Sequence, residues 1–191
     1  MPTDLYISTD VEADGPIPGP YSMSSIGMVA AATFDGTTFT RLDLSERFYR
    51  ELKPISERFD EAAAAVSGLD RAELIASGHE PAAAMTECAA WLGEVAARFR
   101  ARPIFVAYPL GFDWLFTYWY LVQFAGSSPF GHSGHLDMKS IFATKARVPV
   151  RTVGKRSMPK HLLSTRAHTH NALDDAIEQA ELFANLFEWA G

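Results

Sequence analysis

The chain has 191 residues, 48% hydrophobic and 21% charged, a composition typical of a globular protein with enough residues for one domain over 1–191. The formal net charge of −6 excludes a molecule that is basic overall, so a phosphate-bearing partner would have to bind a local basic patch. The single cysteine, Cys88, excludes an intramolecular disulfide and favours a reducing, cytoplasmic location, and residues 1–9 lack the basic and apolar run of a signal peptide.

The first third of the chain predicts strands that pair with their neighbours in sequence. Three segments rich in apolar and β-branched residues cover 4–9, 22–34 and 38–52. Asp35-Gly36 lies between the second and third segments and is typical of a hairpin turn. The three segments therefore predict an antiparallel meander.

Helical patterns follow these strands and alternate with a further strand. Ser56 is predicted to cap a helical region that ends at Gly78, and Pro81 opens a helix that runs to about Arg100. The remaining predicted elements are a strand over 103–108, a helix that ends at Gly126, a loop over 127–135, a short helix over 136–144 and a final helix that begins at Ala172. This order predicts an α/β domain with a mixed sheet.

Residues 103–125 carry one charge over about the length of a bilayer span, which raises the alternative of a membrane helix. Pro109 and Gly111 interrupt the segment, and Asp113 near a bilayer centre would cost about 3 kcal/mol. We therefore predict a strand, a turn and an aromatic helix here, and no association with a membrane.

Two acids at the end of the first predicted strand indicate a candidate cation site. Asp10 and Glu12 flank Val11, so both side chains project from one face if the strand continues through them. Adjacent carboxylates repel each other, which raises one pKa unless a cation lies between them. A solvated strand end is the alternative interpretation of this pair.

Two other regions place acids near the ends of apolar elements. Asp113 follows a predicted strand and lies among aromatic residues, where its alternative role is to stabilise the start of the next helix. Asn171 is predicted to cap the final helix, which leaves His170 on the preceding loop. Helical periodicity does not decide whether Asp174 or Asp175 faces the sheet.

Three segments resemble the ordered motifs of the DEDDh 3′–5′ exonucleases, a family of the ribonuclease H-like superfamily. STDVEADG at 8–15 resembles the first motif, D-x-E, and FVAYPLGFDW at 105–114 resembles the second. HNALDDA at 170–176 resembles the third, H-x-A-x-x-D-A. Many relatives carry His-Asn where this chain has Tyr108-Pro109, a departure that concerns substrate preference and leaves the acids complete.

The resemblance implies a set of metal ligands and a general base. The spacing of the third motif selects Asp175, and His170 would accept a proton from the attacking water. The metal-binding carboxylates would be Asp10, Glu12, Asp113 and Asp175. The implied cofactor is a pair of Mg²⁺ ions, with Mn²⁺ as a substitute, because two ions about 3.5–4 Å apart can stabilise the attacking and leaving oxygens of a phosphodiester. An imidazole with the ordinary pKa near 6.5 suits proton transfer at neutral pH.

A long basic segment without acids independently indicates binding to a nucleic acid. Between Asp137 and Asp174 the chain has no acid, yet eight of its 17 lysine and arginine residues lie there. Such a segment can follow a nucleic-acid backbone, and we predict substrate contacts for Arg151, Lys155 and Arg156. A solvated loop with scattered charge is the alternative.

Aromatic residues near the second motif supply further candidates. Tyr108 and Phe112 are predicted to contact the substrate, with a base stacked on an aromatic ring. The alternative for Phe112 is a core stripe at helical spacing, shared with Leu115, Phe116 and Trp119. His168 is predicted to be a surface residue.

The resemblance implies a ribonuclease H-like α/β fold with a central mixed sheet of about five strands, the first three antiparallel, flanked by helices. It further implies a metal-dependent 3′–5′ exonuclease that releases nucleoside 5′-monophosphates from single-stranded nucleic acid. RNA is the preferred substrate by analogy with stand-alone exoribonucleases, and DNA would suit the same residues. The alternative from another class is a catalytically silent domain that binds nucleic acid or a protein partner. A homodimer is left open.

Overall fold

The structure, a computed structural model, describes residues 2–191. Within this range it has six strands: β1 (Thr3–Ala13), β2 (Met23–Phe34), β3 (Phe39–Arg41), β4 (Arg47–Glu51), β5 (Ala101–Ala107) and β6 (His135–Asp137). Its six α-helices are α1 (Glu61–Ser67), α2 (Arg71–Ser77), α3 (Pro81–Phe99), α4 (Leu110–Ala125), α5 (Met138–Ala146) and α6 (Ala172–Glu188). Three short 3₁₀ helices lie between α5 and α6.

The strands form one mixed sheet in the order β3-β2-β1-β5-β6, with β4 also paired to β2. β1 runs antiparallel to β2 and parallel to β5, and β6 is parallel to β5. β3 pairs with residues 32–34 of β2 and β4 pairs with residues 25–29, so these two strands share one position beside β2. The sheet is therefore five positions wide, which confirms the predicted mixed sheet with an antiparallel beginning.

The third predicted strand is wrong as one continuous element, because residues 42–46 separate β3 from β4. Within this interruption Leu44 has a φ of 61°, in the left-handed region, and the Asp43 carboxylate accepts the Ser45 N–H at 3.0 Å. A local bond between a side chain and the backbone competes with the strand ladder. Alternation of apolar residues does not reveal such a turn.

The predicted helix cap at Ser56 is also wrong, because two short helices replace a single helical region. Asp60 caps α1 by accepting two backbone N–H groups, and Gly68, with a φ of 68°, ends that helix. Asp70 caps α2 in the same way. Ser56 lies in the loop before α1, so the aspartates rather than the serine determine where these helices begin.

Strand β6 is a further difference from the sequence prediction, which places a loop over 127–135 and a helix from 136. β6 pairs in parallel with residues 105–107 of β5 and has only three residues, too few to show alternation. Asp137 ends this strand and caps α5 by accepting the Ser140 N–H at 2.5 Å. The helix consequently begins at residue 138.

The long helices begin and end close to their predicted positions. α3 begins at Pro81, Gly126 caps the end of α4, and α6 begins directly after its cap, Asn171. Residues 103–125 belong to β5, a turn and α4. No helix within residues 2–191 is both long and apolar enough to cross a membrane.

Helices cover both faces of the sheet. Leu5 and Val11 of β1 lie in a core formed with α3 and α4. Tyr6 of β1 points to the opposite face, where its ring centroid lies 4.8 Å from that of Phe183 in α6. Because side chains alternate along a strand, Asp10 and Glu12, which we call the β1 acids, face α6.

Gly27 allows α6 to approach the sheet closely. It is the partner of Asp10 in the register between β1 and β2. A Cβ atom at position 27 would lie 2.3 Å from the carbonyl carbon and oxygen of Ala172, so no side chain fits between strand and helix there. The first turn of α6, which carries Asp175, is thereby placed beside Asp10.

Candidate active site

Carboxylates from β1 and α6 converge at one end of the central strands. Oxygen atoms of Asp10, Glu12 and Asp175 lie within 4.8 Å of one another. Asp175 is fully buried, whereas its neighbour Asp174 is exposed. The structure therefore brings Asp175 and not Asp174 to the strand acids, a choice that helical periodicity alone leaves open.

The fourth predicted acid, Asp113, lies in the first turn of α4 and is 5% exposed. Its Oδ1 accepts the backbone N–H of Val11 at 3.0 Å. Val11 lies between Asp10 and Glu12, so this bond fixes the start of α4 beside these two acids. Asp113 therefore borders the other three acids from the α4 side, and we call these four residues the acid group.

The Asp175 carboxylate also holds the loop that precedes α6. Its Oδ1 accepts the Thr169 N–H and its Oδ2 accepts the His170 N–H, each at 2.9 Å. His170 is exposed and has a φ of 57°, and a nitrogen of its ring lies within 4.8 Å of an Asp175 oxygen. The predicted general base is therefore beside the acid group, on a loop.

His168 is exposed, as predicted for a surface residue, and it also contacts the carboxylate of Asp175, which the sequence did not indicate. Its Nδ1 lies 3.1 Å from Asp175 Oδ2, and its side chain is 46% exposed. Its ring centroid lies 4.5 Å from that of His170. The separation of the two histidines by one residue is the sequence signal that could have indicated a shared location.

Gln179 is a second residue that sequence reasoning misses. It follows Asp175 by one helical turn in α6 and is 1% exposed. Its Nε2 donates to Asp10 Oδ1 at 2.7 Å, and its Oε1 accepts the Tyr108 N–H at 2.8 Å. Its position one helical turn after Asp175, on the same face of α6, is the signal that points to it.

Burial and mutual repulsion raise the pKa values of three members of the acid group. Desolvation, followed by the charges of the neighbouring acids, raises the pKa of Asp10 well above its ordinary 3.8. Desolvation and the charge of Asp175 raise the pKa of Glu12 to about 7. Burial raises the pKa of Asp113 to about 8, although its bond from Val11 opposes the change. A bound cation would offset this accumulation of negative charge.

Lys155 is a basic residue at the edge of the acid group. Its ammonium forms an ion pair with the buried carboxylate of Glu178 in α6 and lies 5.9 Å from the ring centroid of Tyr108. The charge of Lys155 lowers the pKa of Asp10, an effect smaller than that of desolvation. Lys155 is therefore held beside the acids by α6 and is not on an open surface.

The basic segment, which we define as residues 147–166, exposes the other two residues predicted to contact the substrate. Arg151 and Arg156 are exposed. Three buried apolar residues attach the segment to the core that includes α6, namely Val153, Met158 and Leu162. The segment is consequently anchored, while the guanidinium groups face solvent.

The two aromatic candidates differ in their surroundings. Phe112 is 39% exposed and borders a cavity of about 370 Å³ beside Glu12. The rest of the lining is mostly apolar and includes Ala13, Pro16, Ala63 and Val66. Tyr108 has a buried hydroxyl with no hydrogen-bond partner among residues 2–191. The alternative prediction of a core stripe holds for Phe116, which is buried. It is wrong for Phe112 and for Leu115, which is 43% exposed, because the outer side of α4 faces solvent.

The chain is similar in sequence and in structure to known nucleases. No family model matches the chain. Over 180 residues it is 36% identical to the 3′–5′ DNA exonuclease Cap18 of Escherichia coli, covering 94% of this chain and 90% of that protein. The nuclease domain of 3′hExo, a DEDDh family member bound to rAMP, matches with a TM-score of 0.68 and 10% identity over 97% of this chain and 92% of that one. Cell-death related nuclease 4 matches with a TM-score of 0.66 and 14% identity over 98% of this chain and 64% of that one.

The mixed sheet, the helices on both of its faces and the structural neighbours define a ribonuclease H-like fold. Together with the sequence relationship, they show that the chain belongs to the DEDDh family of 3′–5′ exonucleases, which hydrolyse phosphodiester bonds. The fold class and the family predicted from the three motifs are thereby confirmed. The roles of the individual residues stay predictions.

Proposed function

We propose that the chain is a metal-dependent exonuclease that degrades single-stranded DNA from its 3′ end and releases nucleoside 5′-monophosphates. The observation that carries this proposal is the convergence of Asp10, Glu12 and Asp175, with Asp113 beside them, at one end of the sheet. DNA is preferred because the relative with 36% identity is a DNA exonuclease. RNA, favoured from the sequence by analogy alone, is the second candidate.

The acid group fits divalent cations. Its donor atoms are all oxygens, three of its carboxylates lie within 4.8 Å of one another, and the pKa values of Asp10, Glu12 and Asp113 are raised. We propose that Asp10, Glu12, Asp113 and Asp175 hold two Mg²⁺ ions, or Mn²⁺ as a substitute, since both prefer oxygen ligands. When bound, such ions would polarise the scissile phosphate and lower the pKa of the attacking water.

His170 is the proposed general base. Its ring is exposed beside the acids, and its backbone N–H is bonded to Asp175, so the backbone of His170 is held next to the acid group while its side chain can rotate. The neutral imidazole would accept the proton of the attacking water as the new bond to phosphorus forms and the 3′ oxygen leaves. A histidine on a loop can adjust to the substrate more readily than one inside a helix.

The cavity beside Glu12 is proposed to hold the terminal nucleotide. Its apolar lining suits a nucleobase, and the exposed ring of Phe112 can stack on one. Tyr108 and Lys155 would contact the same nucleotide at the other edge of the acid group. Arg151 and Arg156 are proposed to contact phosphates further along the strand.

The experiment incubates the protein with 5′-labelled single-stranded DNA and RNA of one sequence, in MgCl₂, MnCl₂ or EDTA. We expect a ladder of products shortened from the 3′ end on DNA with either metal, and intact DNA in EDTA. Faster degradation of RNA would support the second candidate. Retention of intact nucleic acid in a binding assay, without degradation under any condition, would indicate a catalytically silent domain.

Two neighbouring residues of α6 supply a matched pair of variants for this assay. Asp175→Asn should lower kcat by about 100-fold or more, because even the outer partners of metal ligands commonly contribute 10–100-fold. Asp174→Asn removes the same charge from an exposed position and should leave kcat within about twofold. Equal rates for the two variants would contradict the assignment of Asp175.

Three other expectations stay predictions: a single exonuclease domain over 1–191, a cytoplasmic location and a homodimer. The free thiol of Cys88, which is buried, is consistent with a reducing compartment. Light scattering on the intact protein across a range of concentrations measures the oligomeric state directly.

A further inference from the structure

We propose that His168, His170 and Asp175 form a second cation site, selective for a transition metal such as Zn²⁺, at the edge of the acid group. One nitrogen atom from each histidine and one oxygen atom of Asp175 lie within 4.8 Å of one another. His168 Nδ1 lies 3.1 Å from Asp175 Oδ2, and the two imidazole rings have their centroids 4.5 Å apart. The three side chains therefore converge on one small volume.

The carboxylate of Asp175 has capacity for this additional ligand. Each of its oxygens accepts one backbone N–H, from Thr169 or from His170, at 2.9 Å. A carboxylate oxygen carries two lone-pair sites, so Oδ1 keeps one for another partner, while the remaining site of Oδ2 faces His168 Nδ1 at 3.1 Å, where a cation would replace this direct contact. Asp175 also lies within 4.8 Å of the β1 acids, which makes it a member of two adjacent clusters.

The cluster of His168, His170 and Asp175 is open to solvent on its histidine side, unlike the side of Asp175 that faces the β1 acids. Both histidines are exposed, and the His168 side chain retains 46% of its accessible surface. A cation can therefore enter from water, and exposed loop side chains can rotate to close on it. Three protein ligands with one position left to water is a common arrangement for Zn²⁺.

The two imidazoles give this site a different preference from that of the acid group. Imidazole ligands suit Zn²⁺, Cu²⁺ and Ni²⁺, whereas Mg²⁺ prefers sites made of oxygen ligands. A transition metal should consequently bind the two histidines and Asp175 while Mg²⁺ is present in excess.

The consequence for activity rests on the proposed function. A metal bound to His170 occupies the lone pair with which the imidazole would accept a proton. The same metal would partly neutralise the negative charge that Asp175 contributes to the acid group. Zn²⁺ would therefore inhibit the exonuclease, and His168 would determine the sensitivity to that inhibition.

The binding test titrates CoCl₂, a spectroscopic substitute for Zn²⁺, into the intact protein in excess MgCl₂. We expect a saturable visible ligand-field band with one equivalent of Co²⁺, and its displacement by ZnCl₂. His168→Ala and His170→Ala should each weaken binding about 10–100-fold. His161→Ala removes an exposed histidine elsewhere in the chain and should leave the band unchanged. Equal Co²⁺ binding by wild type and His168→Ala would overturn the proposal.

A second readout separates the new site from the proposed function. The exonuclease rate on single-stranded DNA is measured against ZnCl₂ at fixed MgCl₂, each variant relative to its own rate without zinc. His168→Ala should require about tenfold more Zn²⁺ for half inhibition, and identical inhibition of His168→Ala and wild type would count against the proposal. A protein without nuclease activity that still shows the His168-dependent Co²⁺ band would refute the proposed function and support the site.

Discussion

Gln179 connects three parts of the site through one neutral side chain. Its amide nitrogen donates to Asp10 of β1, its amide oxygen accepts the N–H of Tyr108 after β5, and its own helix carries Asp175. Because Gln179 is 1% exposed, water cannot readily replace either bond. We expect Gln179 to position the proposed reacting groups, since both of its bonds are to the protein.

Gln179→Leu should therefore affect both stability and activity. Loss of two buried hydrogen bonds leaves the Asp10 carboxylate and the Tyr108 N–H without these partners, so the free energy of unfolding should fall by about 1–3 kcal/mol. The kcat on DNA should also decrease, because Asp10 loses its orientation. Urea denaturation and the rate of nucleotide release measure the two effects.

Gln123→Leu, at an exposed position of α4, is the control and should change stability by less than about 0.5 kcal/mol. A Gln179→Leu protein as stable and active as this control would contradict the role.

At the residue scale, the sequence predicts those features that depend on neighbours along the chain. Alternation places Asp10 and Glu12 on one face of β1, and a cap places the start of α6. The bond from Gln179 to Asp10 spans 169 positions, and local periodicity contains no information about such a partner. Asp175 is distinguished from Asp174 only by the motif or by the structure.

Helix α6 is the element that brings the third motif to the first. Its close approach to β2 depends on Gly27, because a Cβ atom there would lie 2.3 Å from the backbone of Ala172. Close packing of a helix against a strand is intolerant of added atoms, since both backbones must shift together. The separation of Asp175 from the β1 acids consequently depends on a residue that has no side chain.

Gly27→Ala should displace the start of α6. We expect a loss of about 1–3 kcal/mol in the free energy of unfolding and a reduced kcat, because Asp175 moves away from Asp10. Gly93→Ala is the matched control, since a Cβ atom at that position of α3 meets nothing within 4 Å. This control should be neutral or stabilised by up to about 1 kcal/mol. Denaturant unfolding and nucleotide release test both variants, and unchanged activity in Gly27→Ala would show that α6 tolerates the shift.

The basic segment is anchored by apolar residues and exposes two arginines. If Arg151 and Arg156 contact phosphates, the double variant Arg151→Ala/Arg156→Ala should bind single-stranded DNA more weakly. The slope of log K against log salt should become shallower by about 0.7 for each phosphate that the variant no longer neutralises. Fluorescence anisotropy across a salt series measures both quantities. The variant Arg98→Ala/Arg102→Ala also removes two exposed charges, near the opposite end of β5 from the acids, and should keep the original slope.

At the element scale, the length of a helix or strand decides whether it can be predicted from the sequence. α3, α4 and α6 are long enough for apolar periodicity and caps to define them. β6 has three residues, and the division of the third predicted strand depends on a turn at Asp43–Ser45. Short elements owe their conformation to partners that lie far away in sequence, which is why neither was predicted.

For the molecule as a whole, we expect the acid group to make stability depend on pH and on the proposed metal ions. Carboxyl groups with a higher pKa in the folded than in the unfolded state bind more protons when folded. Glu12 and Asp113 have ordinary values of 4.5 and 3.8 and folded values of about 7 and about 8. Their contribution to stability is fully present below the ordinary values and is lost as pH rises through the folded values.

In EDTA, the free energy of unfolding should therefore fall by about 2 kcal/mol or more between about pH 5 and about pH 8, since one pKa unit corresponds to about 1.4 kcal/mol. MgCl₂ should restore stability near pH 8, where Glu12 is mostly ionised and a cation competes with the fewest protons, and have little effect near pH 5. Asp113→Asn should flatten the dependence in EDTA. Denaturant unfolding at each pH measures these differences, and stability that rises with pH in EDTA would contradict the expected sign.

The position of the basic segment divides the proposed catalytic groups between two stretches of polypeptide. Asp10, Glu12 and Asp113 precede it, and His170 and Asp175 follow it. A protease that cuts once in its exposed part would produce two fragments, neither of which carries the full set. Helix α6 packs against β1 and β2, so the fragments would still have an apolar surface through which to reassociate. The enzyme thus has a natural place at which it could be split, with activity restored only when the two halves are brought together.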